Sequence, residues 1–525
     1  MSRKFLCDIS AIKKSGFESF YQNYYWPVSN KEFEIFSKFI HNTYVDLIID
    51  IKDDSLYDIA LIELSFVHSL LQIFHYNYIN EFSLNNNIEL LHGQGAGDLL
   101  NPNWSDLSRL YSNPKHPFGK IKRLIMRVVK NIIFNRKLPI FNILKSLNGK
   151  DKAISIGSMS SLKMEFILNK RIFTSHYDYI DLINIGPKVD ARTIEKHALF
   201  LEKHVVNKFI DILRKNRSLF ASNVDFDALK LCWKKRFYDA SKLYFEVANT
   251  KYKSNSVFVS DMAKPFHKLI TLAFQRAGKS VYCFHHGNDA GFSVQMLGHE
   301  LTISHCQMLV VPTNGIKRVY EKMYSKSEIA KRSGTKYLSI NSSFYKEIYS
   351  KNKNPKKIHI KKIMLMGFPM SSSRYTAENS LFFYSQLDLE YRLITTLKNL
   401  GYYVIYKAHP DRLEEIGSLF NDVVDEVITD SFEKVWQRSD LLIFTYTSTT
   451  TFGYALTTNL PIVLLDSAQE FRDKKEYSDM SSRINLVKTS FDDNMRINFN
   501  SDLLLKAVSN SDFDFSYVER IFGNA

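Results

Sequence analysis

The stretch that best indicates the fold is Leu441-Leu442-Ile443-Phe444-Thr445-Tyr446-Thr447-Ser448-Thr449-Thr450-Thr451-Phe452-Gly453. Its first four residues are apolar and predict a buried strand, and the segment after Gly453 predicts a helix. Six Ser and Thr hydroxyls lie between them. One hydroxyl is enough to cap a helix, and capping is the simpler interpretation. Six hydroxyls at a strand end favour a ligand rich in oxygen atoms, such as a phosphate, which a helix N-terminus also attracts.

A second informative string is Lys407-Ala408-His409-Pro410, which follows the apolar, β-prone run Tyr402–Tyr406. In an open parallel sheet, ligands bind at the carboxyl ends of the strands. Lys407 and His409 are therefore candidates for contacts with a phosphate or a sugar hydroxyl, and Pro410 fixes the turn. An ordinary surface loop is the alternative. The candidate donor-binding residues here and in the hydroxyl-rich loop are Lys407, His409, Pro410, Thr447, Ser448, Thr449 and Thr450.

Strand-like and helix-like segments alternate in two regions of the chain, which predicts two parallel, doubly wound sheets. The expected fold class is α/β, with two Rossmann-like domains facing a cleft and a helical N-terminal extension. The expected boundaries are a first domain over 1–325, a polar linker over 326–360, a second domain over 361–500, and a tail over 501–525 that is helical in one interpretation.

Polar residues also follow predicted strands of the first region. Asp261 comes after Val257–Val259, and its carboxylate is a candidate nucleophile or base. The alternative is an N-cap of the next helix. His285 and His286 follow the next strand and are candidates to orient a donor, or they are packed loop residues. Glu165 is a candidate acceptor base, although acids in a first helical turn also simply stabilise the helix.

Two more strand ends of the second region carry polar residues. Gly367–Arg374 follows its first strand, so Ser371 and Arg374 are candidates to bind a phosphate or base, with a plain turn as the alternative. Asp466 ends a later strand, where its carboxylate either holds a ribose hydroxyl or caps a helix.

Composition limits the class of protein. The 525 residues are 45% hydrophobic and 14% aromatic, which excludes wholesale disorder and predicts more than one core. The four cysteines are far apart, which fits a reducing cytoplasm and disfavours a disulfide framework or a structural zinc site. The N-terminus lacks the apolar core of a signal peptide, and we identify no apolar run that predicts a membrane span.

The formal net charge of +15 predicts acidic partners. Between Leu107 and Lys150 there are eleven Lys and Arg residues and no Asp or Glu. Apolar residues from Ile121 to Val129 recur there at helical spacing, so the segment 107–150 is a candidate for peripheral contact with an anionic membrane. The alternative is the solvated face of a packed helix. This spacing suits a membrane surface better than nucleic acid, which we do not expect as a partner. The chain has neither a Walker A string nor an H-E-x-x-H motif, and we expect no metal and no cofactor.

Together these residues resemble those of bacterial capsule and lipopolysaccharide Kdo transferases, which are glycosyltransferases of GT-B architecture. The resemblance covers about residues 150–470 and rests on four short features. They are Asp261, the turn His286-Gly287, the string His409-Pro410 and the loop Thr447–Thr451.

The resemblance implies a CMP-linked ulosonic acid, such as CMP-Kdo, as the donor substrate. Lys407, His409 and the turn Ser448–Thr450 would hold the CMP phosphate. Asp261 would be the nucleophile, and a base such as Glu165 would activate the acceptor. His286, the other catalytic candidate, would protonate or orient a carboxylate or phosphate of the donor.

The acceptor would be a growing surface glycan, free or lipid-linked. The protein would then work in the cytoplasm, at the inner face of the cytoplasmic membrane. Two alternatives remain open at this point. One is a glycerophosphotransferase that uses CDP-glycerol, and the other is a non-catalytic, membrane-associated nucleotide-binding protein.

Overall fold

The structure is a computed structural model. It describes residues 4–93, 101–109, 152–178, 189–216, 223–251, 254–284, 296–352, 359–368, 382–410, 419–447, 449–467 and 474–523, with residues 182, 220 and 413 and several residues between 125 and 135.

The first half of the chain contains a sheet of six parallel strands in the order β4-β3-β5-β6-β7-β8. A short parallel pair, β1 and β2, precedes it in the chain. The strands are β1 (Lys4–Leu6), β2 (Glu89–Leu91), β3 (Lys152–Ile156), β4 (Phe173–Tyr177), β5 (Ser256–Val259), β6 (Ser280–Phe284), β7 (Met308–Val311) and β8 (Lys336–Ser339).

The second half contains another sheet of six parallel strands, in the order β11-β10-β9-β12-β13-β14, and an antiparallel hairpin of β15 and β16. The α/β prediction with two parallel sheets is therefore confirmed. The strands are β9 (Lys362–Met366), β10 (Tyr403–Lys407), β11 (Glu426–Ile428), β12 (Leu441–Phe444), β13 (Ile462–Leu465), β14 (Asn485–Val487), β15 (Thr489–Phe491) and β16 (Ile497–Phe499).

The central strands of the second sheet show why continuous apolar runs predicted strands. Every residue of β12 and β13 is buried. A parallel strand covered on both faces reads as a continuous apolar run rather than an alternating one.

Helices surround both sheets. They are α1 (Ile9–Ser15), α2 (Phe17–Gln22), α3 (Asn30–Ile49), α4 (Asp54–Ile62), α5 (Leu64–Asn85), α6 (Trp104–Leu107), α7 (Ser161–Lys170), α8 (Ala191–Leu201), α9 (Asn207–Lys215), α10 (Phe226–Ala248), α11 (Pro265–Arg276), α12 (Met296–Thr302), α13 (Asn314–Tyr324), α14 (Glu328–Ser333), α15 (Ser343–Asn352), α16 (Phe382–Asn399), α17 (Phe432–Val435), α18 (Thr450–Leu456), α19 (Lys474–Met480), α20 (Ser501–Ser509) and α21 (Ser516–Phe522). One π-helical turn, Glu202–Val206, joins α8 to α9, and one 3₁₀ turn, Trp436–Arg438, follows α17.

The helical region Asp54–Asn85 is long and apolar enough to span a membrane, contrary to our reading of the sequence, but 78% of its apolar window is buried inside the protein. Its residues pack against α10 and α11 of the first sheet's layer. There the buried Arg236 donates to both oxygens of Glu63, at 2.6 and 3.1 Å. The apolar composition of this region therefore has an explanation in core packing.

The N-terminal segment crosses over to the second half of the chain. The Trp26 N–H donates to the Asn494 carbonyl at 3.1 Å, and the Tyr24 hydroxyl donates to the Met495 carbonyl at 3.0 Å. Both acceptors lie in the turn of the β15–β16 hairpin. The residues that lead into α3 are therefore fixed against the second sheet's hairpin.

The C-terminal segment crosses in the opposite direction. The Thr313 hydroxyl, at the end of β7, donates to the Ile521 carbonyl of α21 at 2.5 Å. A Cβ on Gly315 would lie 2.4 Å from the carbonyl oxygens of Arg520 and Ile521, so glycine permits this close approach. The tail expected over 501–525 thus contains α20 and α21, and α21 packs on the first sheet's layer.

The polar segment 326–360, expected as a linker, contains α14, β8 and α15. Because β8 pairs with β7 over Met308–Val311, this part of the segment belongs to the first sheet. Its polar composition reflects the position of β8 at an edge of the sheet, where no strand of the described part of the chain pairs with its far side.

The other edge strand of the first sheet is protected by part of the basic segment. The Asn135 amide accepts from the Thr174 N–H at 3.1 Å and donates to the Thr174 carbonyl at 2.8 Å. The Asn131 side chain accepts from the His176 N–H at 2.6 Å. These helical asparagines satisfy the backbone of β4, so their side of the helix faces the protein.

Candidate functional site

The strand orders locate one switch point in each sheet. In the first sheet the order reverses between β3 and β5, and in the second between β9 and β12. At such a point the connections leave on opposite faces, which opens a crevice at the carboxyl ends of the strands. Asp261 follows β5, and the loop after β12 carries Thr445 and Thr447. Predicted site residues therefore lie at both switch points.

At the first switch point the two strand ends approach closely. Gly157 has φ +82°, and a Cβ there would lie 2.6 Å from the Ser260 carbonyl oxygen. Only glycine fits both this backbone conformation and this distance. The turn after β3 is therefore in direct contact with the turn after β5.

This contact positions Asp261. Its Oδ2 accepts from the Ser158 N–H at 2.8 Å, and its Oδ1 accepts from the Ser158 hydroxyl at 3.0 Å. The N-cap of α11 is Lys264, so Asp261 does not cap that helix. The simplest alternative role for Asp261 is thereby excluded.

The backbone at Asp261 also departs from the ordinary. Its φ is +58°, in the left-handed region that non-glycine residues rarely occupy, although aspartate tolerates it better than most. Such conformations persist where the surroundings enforce them, and they cluster at functional sites. The Asp261 carbonyl accepts from the Lys264 N–H at 3.0 Å and contacts His267 Nδ1 at 3.1 Å, which together enforce the turn.

A buried lysine lies beneath this turn. The Lys163 side chain is fully buried, and its Nζ donates to the Ile156 carbonyl at the end of β3 at 2.8 Å. Burial lowers the pKa of Lys163 to about 7, while the negative charge of Asp261 opposes the shift. Burial also lowers the pKa of His267. The Asp261 carboxylate thus lies beside Lys163 and His267, two groups whose pKa values are lowered by burial, and such clusters are common at active sites.

Glu165 has a structural role in this arrangement. Its Oε1 accepts from the Ser343 N–H at 2.7 Å and its Oε2 accepts from the Ser342 hydroxyl. Both oxygens therefore hold the start of α15.

The second switch point is also built around a close approach. A Cβ on Gly367, directly after β9, would lie 2.4 Å from the Tyr406 hydroxyl oxygen of β10. The fully buried Glu390 of α16 accepts from the Phe368 N–H at 2.6 Å and from the Tyr406 hydroxyl at 2.9 Å. Burial raises the pKa of Glu390 to about 8. This carboxyl group fixes the turn after β9 relative to β10.

The loop after β12 carries the buried hydroxyls of this site. Thr445 and Thr447 are 1% and 0% exposed, and neither hydroxyl has a hydrogen-bond partner within the described part of the chain. Thr449 is the N-cap of α18 and accepts from the Thr451 N–H at 3.3 Å. The Tyr446 hydroxyl donates to the Gly367 carbonyl at 3.2 Å. Helix capping therefore uses one hydroxyl of the loop and leaves two buried ones unexplained.

Lys407 and His409 take different positions at the end of β10. Lys407 is buried, and its Nζ donates to the Ala408 carbonyl at 2.7 Å. Burial lowers its pKa, against the opposing charges of Glu433 and Asp430. His409 is half-buried and Pro410 is exposed. Lys407 therefore supports the turn, and His409 is the better candidate to contact a ligand.

A cavity of about 520 Å³ lies at the carboxyl end of β13, the strand next to β12. Asp466 lines one side and is 2% exposed, and the first turn of α3 lines another. The volume is in the usual range for pockets that bind small molecules. Asp466 thus lines a concave site, and its contact with a ribose hydroxyl stays a prediction.

Several predicted site residues lie outside the described residues: His285, His286, Ser371, Arg374, Ser448 and most of the segment 107–150. Sequence reasoning missed Lys163 and Glu390. For Lys163 a signal was present, because this charge lies on a helical face with the apolar Leu162, Phe166 and Ile167.

Among the residues that the structure describes, no group of three or more His, Cys, Asp or Glu side chains is arranged to hold a metal ion. Comparisons of the chain with protein-family models, curated proteins and solved structures give no significant match.

Proposed function

We propose that this protein is a glycosyltransferase of GT-B architecture. It would transfer Kdo or a related ulosonic acid from a CMP-linked donor to a growing bacterial surface polysaccharide. The observation that carries the proposal is the pair of buried hydroxyls of Thr445 and Thr447 at the switch point of the second sheet, which have no hydrogen-bond partner among the described residues. Leaving a buried hydroxyl unpaired costs about 1–3 kcal/mol, and a bound phosphate oxygen would remove that cost.

The strand order supports a nucleotide as the ligand. The second sheet has the order 3-2-1-4-5-6 when its strands are counted along the chain, which is the order of dinucleotide-binding sheets. The Gly367 turn, His409 and Thr447 follow β9, β10 and β12, respectively, which are three neighbouring strands. On this proposal His409 and Thr447 bind the CMP phosphate.

Asp261 supports transfer through a covalent intermediate. Ser158 orients both carboxylate oxygens, and the turn that holds Asp261 has an enforced backbone conformation. The carboxylate would attack the anomeric carbon of the sugar while the bond to the phosphate oxygen breaks and CMP leaves with the bonding electrons. An acceptor hydroxyl would then displace Asp261, and its proton would pass to a base or to water. Glu165 is the candidate base, and hydrogen bonds from Ser342 and Ser343 fix the position of its carboxylate.

The basic segment supports a location at the membrane surface. Five described helical residues, at spacing i, i+3, i+4, i+7 and i+8, are between 42% and 63% exposed. Asn131 and Asn135 bind the edge of the first sheet, so these five apolar side chains are exposed although the two asparagines face the protein. This arrangement is expected of a helix that lies on a lipid surface. The five residues are Ile125, Val128, Val129, Ile132 and Ile133.

The test is CMP release from CMP-Kdo, generated in situ, in the presence of simple glycan acceptors. We expect acceptor-dependent release by the wild type and a loss of at least a hundredfold in Asp261→Asn, which keeps the size of the side chain. His409→Ala should weaken donor binding. Unchanged turnover in Asp261→Asn would remove the nucleophile from the proposal.

A parallel assay with CDP-glycerol separates the nearest rival, because that donor also releases CMP. Turnover of CDP-glycerol alone would replace the sugar donor with a glycerophosphate donor. CMP binding by calorimetry without turnover of either donor would favour a non-catalytic nucleotide-binding protein.

A further inference from the structure

The cavity at the end of β13 joins residues from distant parts of the chain. Asp466 comes from the second sheet, and Phe491 and Met495 come from the β15–β16 hairpin. Lys31 and Glu34 come from the first turns of α3, more than 430 residues earlier in the chain. Three parts of the chain thus enclose one space.

The position of α3 in this cavity is fixed. The Trp26 and Tyr24 hydrogen bonds to Asn494 and Met495 hold the chain only a few residues before α3 begins. A preorganised wall loses less conformational entropy when a ligand binds than a mobile loop does. The N-terminal half is therefore able to contribute to recognition in the second half.

We propose that this cavity binds the nucleoside of the donor, and that α3 selects its base. This inference rests on the proposed function. From β10 to β13 the strand ends span about 14 Å at the usual spacing of paired strands. A phosphate held near His409 and Thr447 therefore leaves the nucleoside within reach of Asp466.

The chemistry of the walls matches a cytidine. Phe491 and Met495 supply aromatic and apolar surface against which a base packs. The Asp466 carboxylate is an acceptor for ribose hydroxyls. Lys31 and Glu34 are three residues apart on α3 and share a face of the helix.

These two side chains are complementary to the polar edge of cytosine. The exocyclic amino group of cytosine is a donor and suits the Glu34 carboxylate, whereas the ring nitrogen and carbonyl are acceptors and suit the Lys31 ammonium. Uracil has a carbonyl in place of the amino group. Its carbonyl oxygen and the Glu34 carboxylate are both hydrogen-bond acceptors, so they would form no hydrogen bond. An unpaired group of this kind is a strong basis for discrimination.

The experiment is isothermal titration calorimetry of the full chain with CMP, UMP and dCMP. We expect the wild type to bind CMP at least tenfold more tightly than UMP or dCMP. Glu34→Gln should bring the ratio of CMP to UMP affinity close to one, because an amide also donates to the uracil carbonyl. Asp466→Asn should do the same for the ratio of CMP to dCMP affinity.

Glu32→Gln is the matched control, because Glu32 lines a separate apolar groove with Phe36 and Phe39 and should leave both ratios unchanged. CMP binding with unchanged ratios in Glu34→Gln and Asp466→Asn would overturn this inference and leave the proposed function intact. Failure of the wild type to bind CMP would overturn both. A thermal melt of each variant verifies that it is folded.

Discussion

The contact between the turns after β3 and β5 makes a quantitative prediction for Gly157→Ala. The added Cβ would lie 2.6 Å from the backbone oxygen of Ser260, and a backbone atom in a packed turn cannot rotate away. The positive φ costs about 1 kcal/mol for alanine, and overpacking of this kind costs about 1–3 kcal/mol more. We therefore expect Gly157→Ala to lower the free energy of unfolding by about 2–4 kcal/mol.

Gly278→Ala provides the matched control. Gly278 has a similar φ of +73°, but nothing lies within 4 Å of the position where its Cβ would be. This variant should lose only the conformational part, about 1 kcal/mol. The difference between the two variants isolates the cost of the contact.

Urea unfolding followed by circular dichroism measures both values, and the CMP-release assay measures their effect on the site. Because the clash is with Ser260, Gly157→Ala should displace Asp261 and lower turnover more than Gly278→Ala does. Equal destabilisation by the two substitutions would refute the contact between the strand ends. It would also remove the argument that this contact positions Asp261.

Three further predictions concern the second site and the membrane. Thr447→Val should leave stability unchanged or raise it by about 1 kcal/mol, because an unpaired buried hydroxyl is removed, and should weaken CMP binding about tenfold. In the control, Thr457→Val, a hydroxyl that donates to the Tyr454 carbonyl at 2.7 Å is lost, so stability falls and CMP affinity in calorimetry does not. Burial raises the pKa of Glu390 to about 8, so between about pH 4.5 and 8 the folded protein retains a proton that the unfolded chain releases. The contribution of this protonated group to stability is lost as the pH rises through this window. In urea unfolding, the free energy of unfolding of Glu390→Gln should therefore rise relative to that of the wild type from pH 5 to pH 8. A difference between the two proteins that does not change with pH would contradict the buried, protonated carboxyl group. Ile132→Asp should abolish cosedimentation with anionic vesicles, whereas Leu231→Asp, which alters another exposed apolar residue, should not. Equal binding of the wild type to neutral vesicles would argue against the basic residues of the segment.

The second sheet shows which elements the local pattern of hydrophobic residues is able to predict. Continuous apolar runs predicted β12 and β13, because strands buried on both faces need apolar residues at every position. The hydroxyl-rich loop was also predicted from local sequence, because a polar cluster directly after an apolar run marks the end of a buried strand. Local sequence also shows the basic, amphipathic pattern of the segment 107–150. It does not show which side of that helix faces the protein.

What the sequence alone determined is therefore the type of each central element and the polar residues at its end. These depend on hydrophobic periodicity and on residues that are neighbours along the chain. Only the tertiary structure decided that both oxygens of Glu165 hold α15, that Ser158 holds Asp261, and that α3 closes the cavity at Asp466. The physical reason is that these contacts join residues more than a hundred positions apart, and no local preference specifies which distant groups a folded chain brings together.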